Sequence, residues 1–444
     1  MSHLFLKVLV CALICTFVPI SSGASASDKS RVIVTTDLGG TDPDDIQSMI
    51  HLLVCSDRID IEGLVSSQVW ITDSDKTSSI LEVLDSYSKA YPNLKRHSDG
   101  FPTAEYLKSV TCRGQSVSNM DGVGDGKDSP GSDLIIKAVD KASDKRPVWI
   151  VAWGGMNTLA QTLHKVSITR NQRQVADFLR KIRIYDVLGQ DDAGAYIAHE
   201  YPEILYIRNS QVYGWAPDDT WTRDNIQGKA PLGSCYPDRI WATEGDSPSF
   251  LYLLANGLND PEHPDYGGWG GRFSLQKELN PSGMDFIKSS GKDESAFGDY
   301  YMLTSTREGV NAIVRWKQHI INDFAARIRW SATGEFTEAN HHPLVAVNGD
   351  RSLLPLEIKA KKGRTLKLDA RKTTDPDGDA ITYRWYVYEE PGTLRGVEIE
   401  NPDGPRCRVK LPEDLTGTVH IILEATDNGT PRLTSYKRVV VSVK

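Results

Sequence analysis

The chain has 444 residues, a formal net charge of −8, 39% hydrophobic and 25% charged residues. This is the balance of an ordinary folded protein, long enough for two or three domains. The acidic balance and the lack of any basic block exclude a nucleic-acid polymer held by phosphate neutralisation. After the N-terminal segment no apolar run approaches the roughly 20 residues needed to cross a bilayer, which excludes a membrane span.

Residues 1–26 read as a secretory signal peptide. Lys7 precedes the apolar run Val8–Val18, and the small residues Ser21–Ala26 offer cleavage points after Gly23 or Ala26. The expected destination is extracellular. Four cysteines remain beyond it, Cys55, Cys112, Cys235 and Cys407. They form no C-x-x-C pair and are too sparse for a disulfide scaffold. A Cys112–Cys235 bridge and four free thiols are both open.

From about residue 27 to 335 apolar strand-like runs (Val32–Thr35, Ile59–Val65, Val148–Ala152, Ile182–Val187, Ile204–Ile207) alternate with helical faces. Ile80, Leu84, Tyr87 and Tyr91 make one such face; Leu134 with Ala138, and Leu159 with Leu163, make two more. This alternation predicts an α/β domain with a mainly parallel sheet flanked by helices. Ile313, Trp316, Ile320 and Phe324 predict one long final helix ending near Trp330.

The first strand runs into Thr36-Asp37-Leu38-Gly39-Gly40-Thr41-Asp42-Pro43-Asp44-Asp45, four carboxylates within nine residues. Ile46, Met49, Ile50 and Leu53 follow at helical spacing, so the order is strand, acidic glycine-rich loop, helix. Carboxyl ends of strands are where open α/β sheets bind ligands. Clustered carboxylates repel one another unless a hard cation takes them as ligands. By itself the loop is equally an acidic turn with Asp44 as a simple helix cap.

Two further segments share this character. Ala152-Trp153-Gly154-Gly155-Met156-Asn157 is a strand end, a glycine turn and a helix start, with Asn157 also a natural N-cap. Glu244-Gly245-Asp246-Ser247-Pro248 precedes the apolar Phe250–Leu254. Gly267-Gly268-Trp269-Gly270-Gly271-Arg272 either brings Trp269 to a sugar face or is a structural turn. No G-x-S-x-G, H-E-x-x-H or G-x-x-x-x-G-K-[ST] motif occurs.

Residues 336–444 lose the helical period. Short β runs at Leu354–Ile358, Thr365–Leu368, Ile381–Val387, Arg408–Leu411, Val419–Ala425 and Arg438–Val443 predict an all-β, immunoglobulin-like sandwich. This part resembles the polycystic-kidney-disease and cadherin modules that accompany secreted enzymes. Asp375-Pro376-Asp377-Gly378-Asp379 resembles a calcium loop but carries Tyr386 where an EF-hand needs Glu, and it is read as a turn of the sandwich.

The acidic loop, the Trp153-Gly154-Gly155 turn and the Asp246 segment together resemble the nucleoside hydrolase family. The resemblance is closer to secreted nucleoside-hydrolase-like proteins of the Sde182 type, some described as cellulose-binding. It is carried by Asp37–Ser48, by Gly189-Gln190-Asp191-Asp192-Ala193-Gly194, and by Asn256–Pro264 with Gly267–Phe273. The resemblance implies a Ca²⁺ ion held by Asp37, Asp45, Asp246 and the Trp153 carbonyl. It makes Asp37 also the general base and Asp44 an acceptor for a sugar hydroxyl. Asn157, Gln190, Asp191 and Trp269 are the further candidates for substrate contact.

Three departures stand out. The acidic loop is three residues longer than in nucleoside hydrolases; Trp153 stands where they carry Thr; and Gly245 replaces the His that helps a purine leave. Glu244 is the candidate leaving-group acid in its place. The expected function is therefore a secreted calcium-dependent glycosidase acting on a glycoside, of plant-cell-wall or N-ribosyl type. The alternative is a non-catalytic carbohydrate-binding (cellulose-binding) protein with Trp153, Trp215, Trp221 and Trp269 as stacking platforms.

Overall fold

A computed structural model describes residues 28–39, 42–69, 75–278 and 294–444. The expected leader at 1–26 lies outside these residues, as do Gly40 and Thr41 of the acidic loop.

The α/β part is built on an eight-stranded sheet. In chain order its strands are β1 (Arg31–Thr36), β2 (Asp60–Ser66), β3 (Thr111–Arg113), β4 (Val148–Ala152), β5 (Ile182–Val187), β6 (Leu205–Asn209), β7 (Phe273–Glu278) and β8 (Tyr300–Ser305). Their spatial order is β3-β2-β1-β4-β5-β6-β8-β7, parallel throughout except for the last pair. Every residue of β1 and β4 is buried, which is why both read as unbroken apolar runs: a parallel strand covered on both faces has no polar side to show.

The helices are α1 (Asp44–Val54), α2 (Thr77–His97), α3 (Ala104–Ser109), α4 (Pro130–Val139), α5 (Asn157–Thr169), α6 (Gln172–Leu179), α7 (Ala193–Glu200), α8 (Asp219–Thr222) and α9 (Ser247–Leu251). Alternate residues of β1 feed two cores. Val32 and Val34 join Met49, Ile50, Leu84, Phe250 and Phe324 on one face. Ile33 joins Ile135, Val139, Leu159 and Leu163 on the other. Since β1 has β2 on one side and β4 on the other, the sheet reverses direction of winding between β1 and β4. The crevice outside their carboxyl ends is the switch point where such sheets accept ligands.

The expected single C-terminal helix is instead two, Asn311–Val314 and Lys317–Ala332. The break falls at Trp316, whose indole packs edge-on against Tyr388 and Tyr436 of the β part. Tertiary packing there overrides the continuous apolar period.

The β part has a four-stranded sheet, Thr382–Tyr388, Gly417–Thr426, Thr434–Val443 and Leu356–Ala360 in spatial order, and a three-stranded sheet of Thr365–Asp369, Arg406–Lys410 and Glu398–Glu400. Leu368, Trp385, Val409, Ile421, Leu423, Val439 and Val441 fill the space between them. Asp375 folds back on the amides of Asp377 and Asp379, and Asp377 holds His341 by side chain and amide. The acidic turn thus docks the segment that enters the sandwich. All four described cysteines are free thiols.

The glycine-rich block 267–271 lies against this β part, which corrects the sugar-contact reading of Trp269. Trp269 is 2% exposed; its indole N–H donates to the Tyr436 hydroxyl and its amide to Asn259. Gly267 has φ +74° and a Cβ there would strike the Tyr388 hydroxyl. Arg438 closes the contact. Its buried guanidinium donates to the carbonyls of Leu258 at 2.7 Å, Tyr266 at 3.1 Å and Gly267 at 2.5 Å, and its amide donates to Gly257 at 2.8 Å. Arg438→Met would leave these carbonyls buried without a donor, at 1–3 kcal/mol each. We expect a loss of about 3 kcal/mol or more in urea unfolding; an unchanged midpoint would remove Arg438 as the clasp between the two parts.

Candidate functional site

The end of β1 is locked in register with β4 by Trp153 N–H to the Thr35 carbonyl and with β2 by Ser67 N–H to the Thr36 carbonyl, both at 2.8 Å. That places Asp37 beside the Trp153–Gly154 turn so closely that a Cβ on Gly154 would sit 3.1 Å from the Asp37 Cβ. Only glycine lets the two strand ends share this space. Asp44 and Asp45 form the first turn of α1, where the helix dipole favours negative charge. Pro43, not Asp44, occupies the cap position. Thr36 donates its hydroxyl to Asp45.

Asp246 arrives from the far end of the chain. Its segment is tied to α1 by Ser247 to Ser48 at 3.0 Å and by the Glu244 amide to Gln47 at 3.0 Å. It is tied to β4 by the Trp153 indole N–H, which donates to Ser249 at 2.7 Å. Ligand oxygens of Asp44, Asp45 and Asp246 lie within 4.8 Å of one another, and Asp37 is hydrogen-bonded to Asp45. All four are buried. Asp246 Oδ2 has no hydrogen-bond partner among the described residues.

Burial and mutual repulsion together raise the proton affinity of these four carboxylates above the usual range. Burial and then Asp44 push Asp37 up to about 7; burial and then Asp42 push Asp44 up to about 7. Burial raises Asp45 well above normal, with Asp37 next in effect, and raises Asp246 likewise, with Asp45 next. An all-oxygen donor set with an orphaned buried oxygen suits a hard divalent cation such as Ca²⁺ and does not suit the soft or nitrogen-preferring metals.

These groups form the floor of a cavity of about 920 Å³. Trp153 and Gln190 border it, and the Gln190 amide donates to the Trp153 carbonyl at 2.5 Å. Asp42 also borders it and accepts from the Ala242 amide at 3.1 Å. Tyr213 and Trp241 make its aromatic walls. Sequence reasoning missed both. Tyr213 sits in an unremarkable loop, and Trp241 stands apart from every glycine or carboxylate motif; only exposure distinguishes it.

Of the sequence-predicted residues, Asp37, Asp44, Asp45, Trp153, Gln190 and Asp246 come together at this cavity. Besides Trp269, three others do not. Glu244 is fully buried beneath the loop, where it contacts His51 Nδ1 at 2.6 Å and accepts from the Tyr236 hydroxyl at 2.7 Å. It cannot serve as a leaving-group acid; it anchors the loop, at a φ of +50°. Asn157 and Asp191 are also internal. Asp191 accepts the Met156 and Asn157 amides at 3.0 and 3.1 Å, and Asn157 donates to the Val117 carbonyl and accepts from Ser67. They build the start of α5 and do not border the cavity. Of the proposed Trp platforms, Trp215 and Trp269 are buried away from it, Trp221 does not line it, and the Trp153 indole is spent on Ser249.

A family model described as cellulose-binding Sde182, nucleoside hydrolase-like domain, matches residues 31–273. A second, described as cellulose-binding protein Sde0182, C-terminal domain, matches residues 365–443. A solved structure described as a nucleoside hydrolase-related hypothetical protein from Saccharophagus degradans, associated with carbohydrate metabolism, is 43% identical. It covers 94% of this chain and 100% of its own, with a TM-score of 0.90. The PKD domain from KIAA 1837 protein is 24% identical over 20% of this chain and 79% of its own, with a TM-score of 0.16. Human CDH23 EC21-23 is 16% identical over 20% and 30%, also at 0.16. No curated protein matches the chain.

The raised carboxyls give a pH signature. A group whose folded value near 7 exceeds its unfolded value of 3.8 binds its proton more tightly when folded, so stability falls as pH rises from the lower value through the higher. In chelator, the thermal midpoint should fall between pH 5 and 8. Millimolar CaCl₂ should restore it, more at pH 8 than at pH 5.5; a midpoint flat in pH and indifferent to calcium would remove the cation site. Glu244→Ala breaks a buried pair and should cost about 3 kcal/mol in denaturant unfolding; an unchanged stability would show that the anchor carries no load.

Proposed function

This chain belongs to the nucleoside hydrolase-like family of cellulose-binding Sde182 proteins, and on that premise we propose that it is a secreted, calcium-dependent hydrolase of a glycosidic bond. The observation that carries this reading is the buried carboxylate cluster at the sheet's switch point, with Asp246 Oδ2 unpartnered. Asp37, Asp45, Asp246 and the Trp153 carbonyl are the residues that would hold Ca²⁺. When bound, the ion supplies a fixed seat for a water and for sugar hydroxyls, and modest acidification of that water.

The chain's own residues do the rest. Asp37, at the floor, takes the proton of the attacking water. The water oxygen bonds to the anomeric carbon as the bond to the leaving group breaks, through an oxocarbenium-like transition state. Asp44 accepts a hydrogen bond from a sugar hydroxyl and so orients the ring. Gln190, already donating to the Trp153 carbonyl, keeps that carbonyl in place.

A second reading has its own support. With Glu244 locked under the loop, no carboxylic acid is assigned to protonate a leaving group, and the family description is of a cellulose-binding protein. In that case the same cavity binds a carbohydrate without cleaving it.

Asp37→Asn should preserve the fold and lower calcium-dependent sugar release by about 10²–10⁴-fold, measured as reducing ends and free base from cellulose, xylan, arabinan and nucleosides with calcium and with chelator. Release indifferent to calcium or to Asp37→Asn would overturn the hydrolase mechanism. Retention on insoluble cellulose with no product from the wild type would establish the binding reading instead.

A further inference from the structure

We propose that the same cavity carries a second-ring subsite walled by Tyr213 and Trp241, and that this subsite takes a neutral sugar ring. The ligand is then a neutral disaccharide or longer glycan and not a nucleoside or an acidic polysaccharide. The inference deepens the reading given above and rests on the carboxylate floor being the first-ring site.

Trp241 is 75% exposed, the highest value among the large hydrophobic side chains of the described residues. A lone exposed aliphatic group is ordinary, but a tryptophan face at the rim of a cavity offers a large flat apolar surface suited to the C–H face of a pyranose. Trp241 is not on a loose loop. The amide of the next residue, Ala242, donates to Asp42, which belongs to the enlarged acidic loop. Two residues earlier, Arg239 Nε is 2.6 Å from Asp219 Oδ1. Asp42 of the acidic loop thus buttresses the rim.

Tyr213 lines the same cavity on the carboxylate side. A Cβ on Gly245 would lie 2.6 Å from Tyr213 Cε1 and 2.7 Å from Asp44 Oδ2. The absent side chain at 245 is what lets the phenol ring lie over the loop beside Asp44. One aromatic ring of the cavity thus lies at the carboxylates, and the other is exposed to an incoming ligand.

Charge and size select the occupant. The cavity lining holds seven carboxylates and two cations, Arg239 and Lys317, and Arg239 is engaged by Asp219. Even with a divalent ion in place the surplus is negative and repels a uronate, sulfate or phosphate group. A polyhydroxylated neutral ring donates hydrogen bonds to such a wall. A volume of about 920 Å³ stands at the upper end of small-ligand sites, which leaves room beyond one ring. No imidazole lines it among the described residues, so a departing nucleobase finds no such donor.

The test is calorimetric titration of calcium-loaded full-length wild type, Trp241→Ala, Trp241→Phe and Tyr213→Phe with glucose, xylose, cellobiose, xylobiose, inosine and digalacturonate. Cellobiose or xylobiose should bind at least about tenfold tighter than its monosaccharide. Trp241→Ala should lose about three- to tenfold of that increment, with monosaccharide affinity and calcium-dependent melting unchanged. Trp241→Phe and Tyr213→Phe, which keep the rings, should retain most of it. Inosine and digalacturonate should show no such gain.

No disaccharide increment in the wild type, an increment untouched by Trp241→Ala, or tighter binding of inosine or digalacturonate would overturn the proposal. The two readings separate cleanly. Calcium-dependent hydrolysis of a simple aryl glycoside together with no Trp241-dependent disaccharide increment removes the subsite and leaves the hydrolase. A Trp241-dependent increment with no turnover removes the hydrolase and leaves the subsite.

Discussion

Mutual repulsion among Asp37, Asp44, Asp45 and Asp246 is the constraint on which the rest of the site depends. Burial is the first cause of the raised proton affinity of each carboxylate, and repulsion from neighbouring aspartates adds to it. A fold that places charge this way gives up stability above neutral pH unless a cation compensates. What forces them together is strong: parallel register between β1 and β4, a glycine turn that admits no side chain, and an anchored loop returning from residue 246.

Glu244 shows how the scaffold accommodates that cost. Placed next to Asp246 it would add a fifth carboxylate to the cluster. Instead its positive φ turns it beneath the loop, onto His51 and Tyr236. Gly245 then leaves a gap over Asp44 that Tyr213 fills. One side chain withdrawn and another omitted turn an acidic loop into a cavity with an aromatic wall. The β part takes no share in this lining; it buries Trp269 and the glycine block through Arg438, and steadies the α/β part from outside.

Much of this was legible in the chain. Apolar runs spaced by helical faces identified the five central strands because strands buried on both faces have nowhere to place a polar residue. The outlying strands β3, β8 and β7 escaped notice because they are short or half-exposed and their pattern does not stand out from loops. Asp37, Asp45 and Asp246 could be singled out because each stands in a segment that ends a strand or opens a helix, and the structure brings the three together at one cavity. Glu244, Asn157 and Asp191 were misjudged for one common reason. Hydrogen-bonding side chains that organise a site and those that face its ligand share the same chemistry and the same motifs.

The sequence by itself determined the two-part architecture, the family and the acidic half of the site, because periodicity, composition and a run of charges at a strand end are local properties. Which polar side chains turn inward, and which aromatic ring lines the cavity, was decided only by tertiary structure. Trp269 lies in the most conspicuous tryptophan motif and is buried between domains. Trp241 lies in none and faces the cavity. Side-chain direction depends on what packs behind it, here the hold of Asp42 on Ala242 across some two hundred residues of chain, and no local pattern records such a contact.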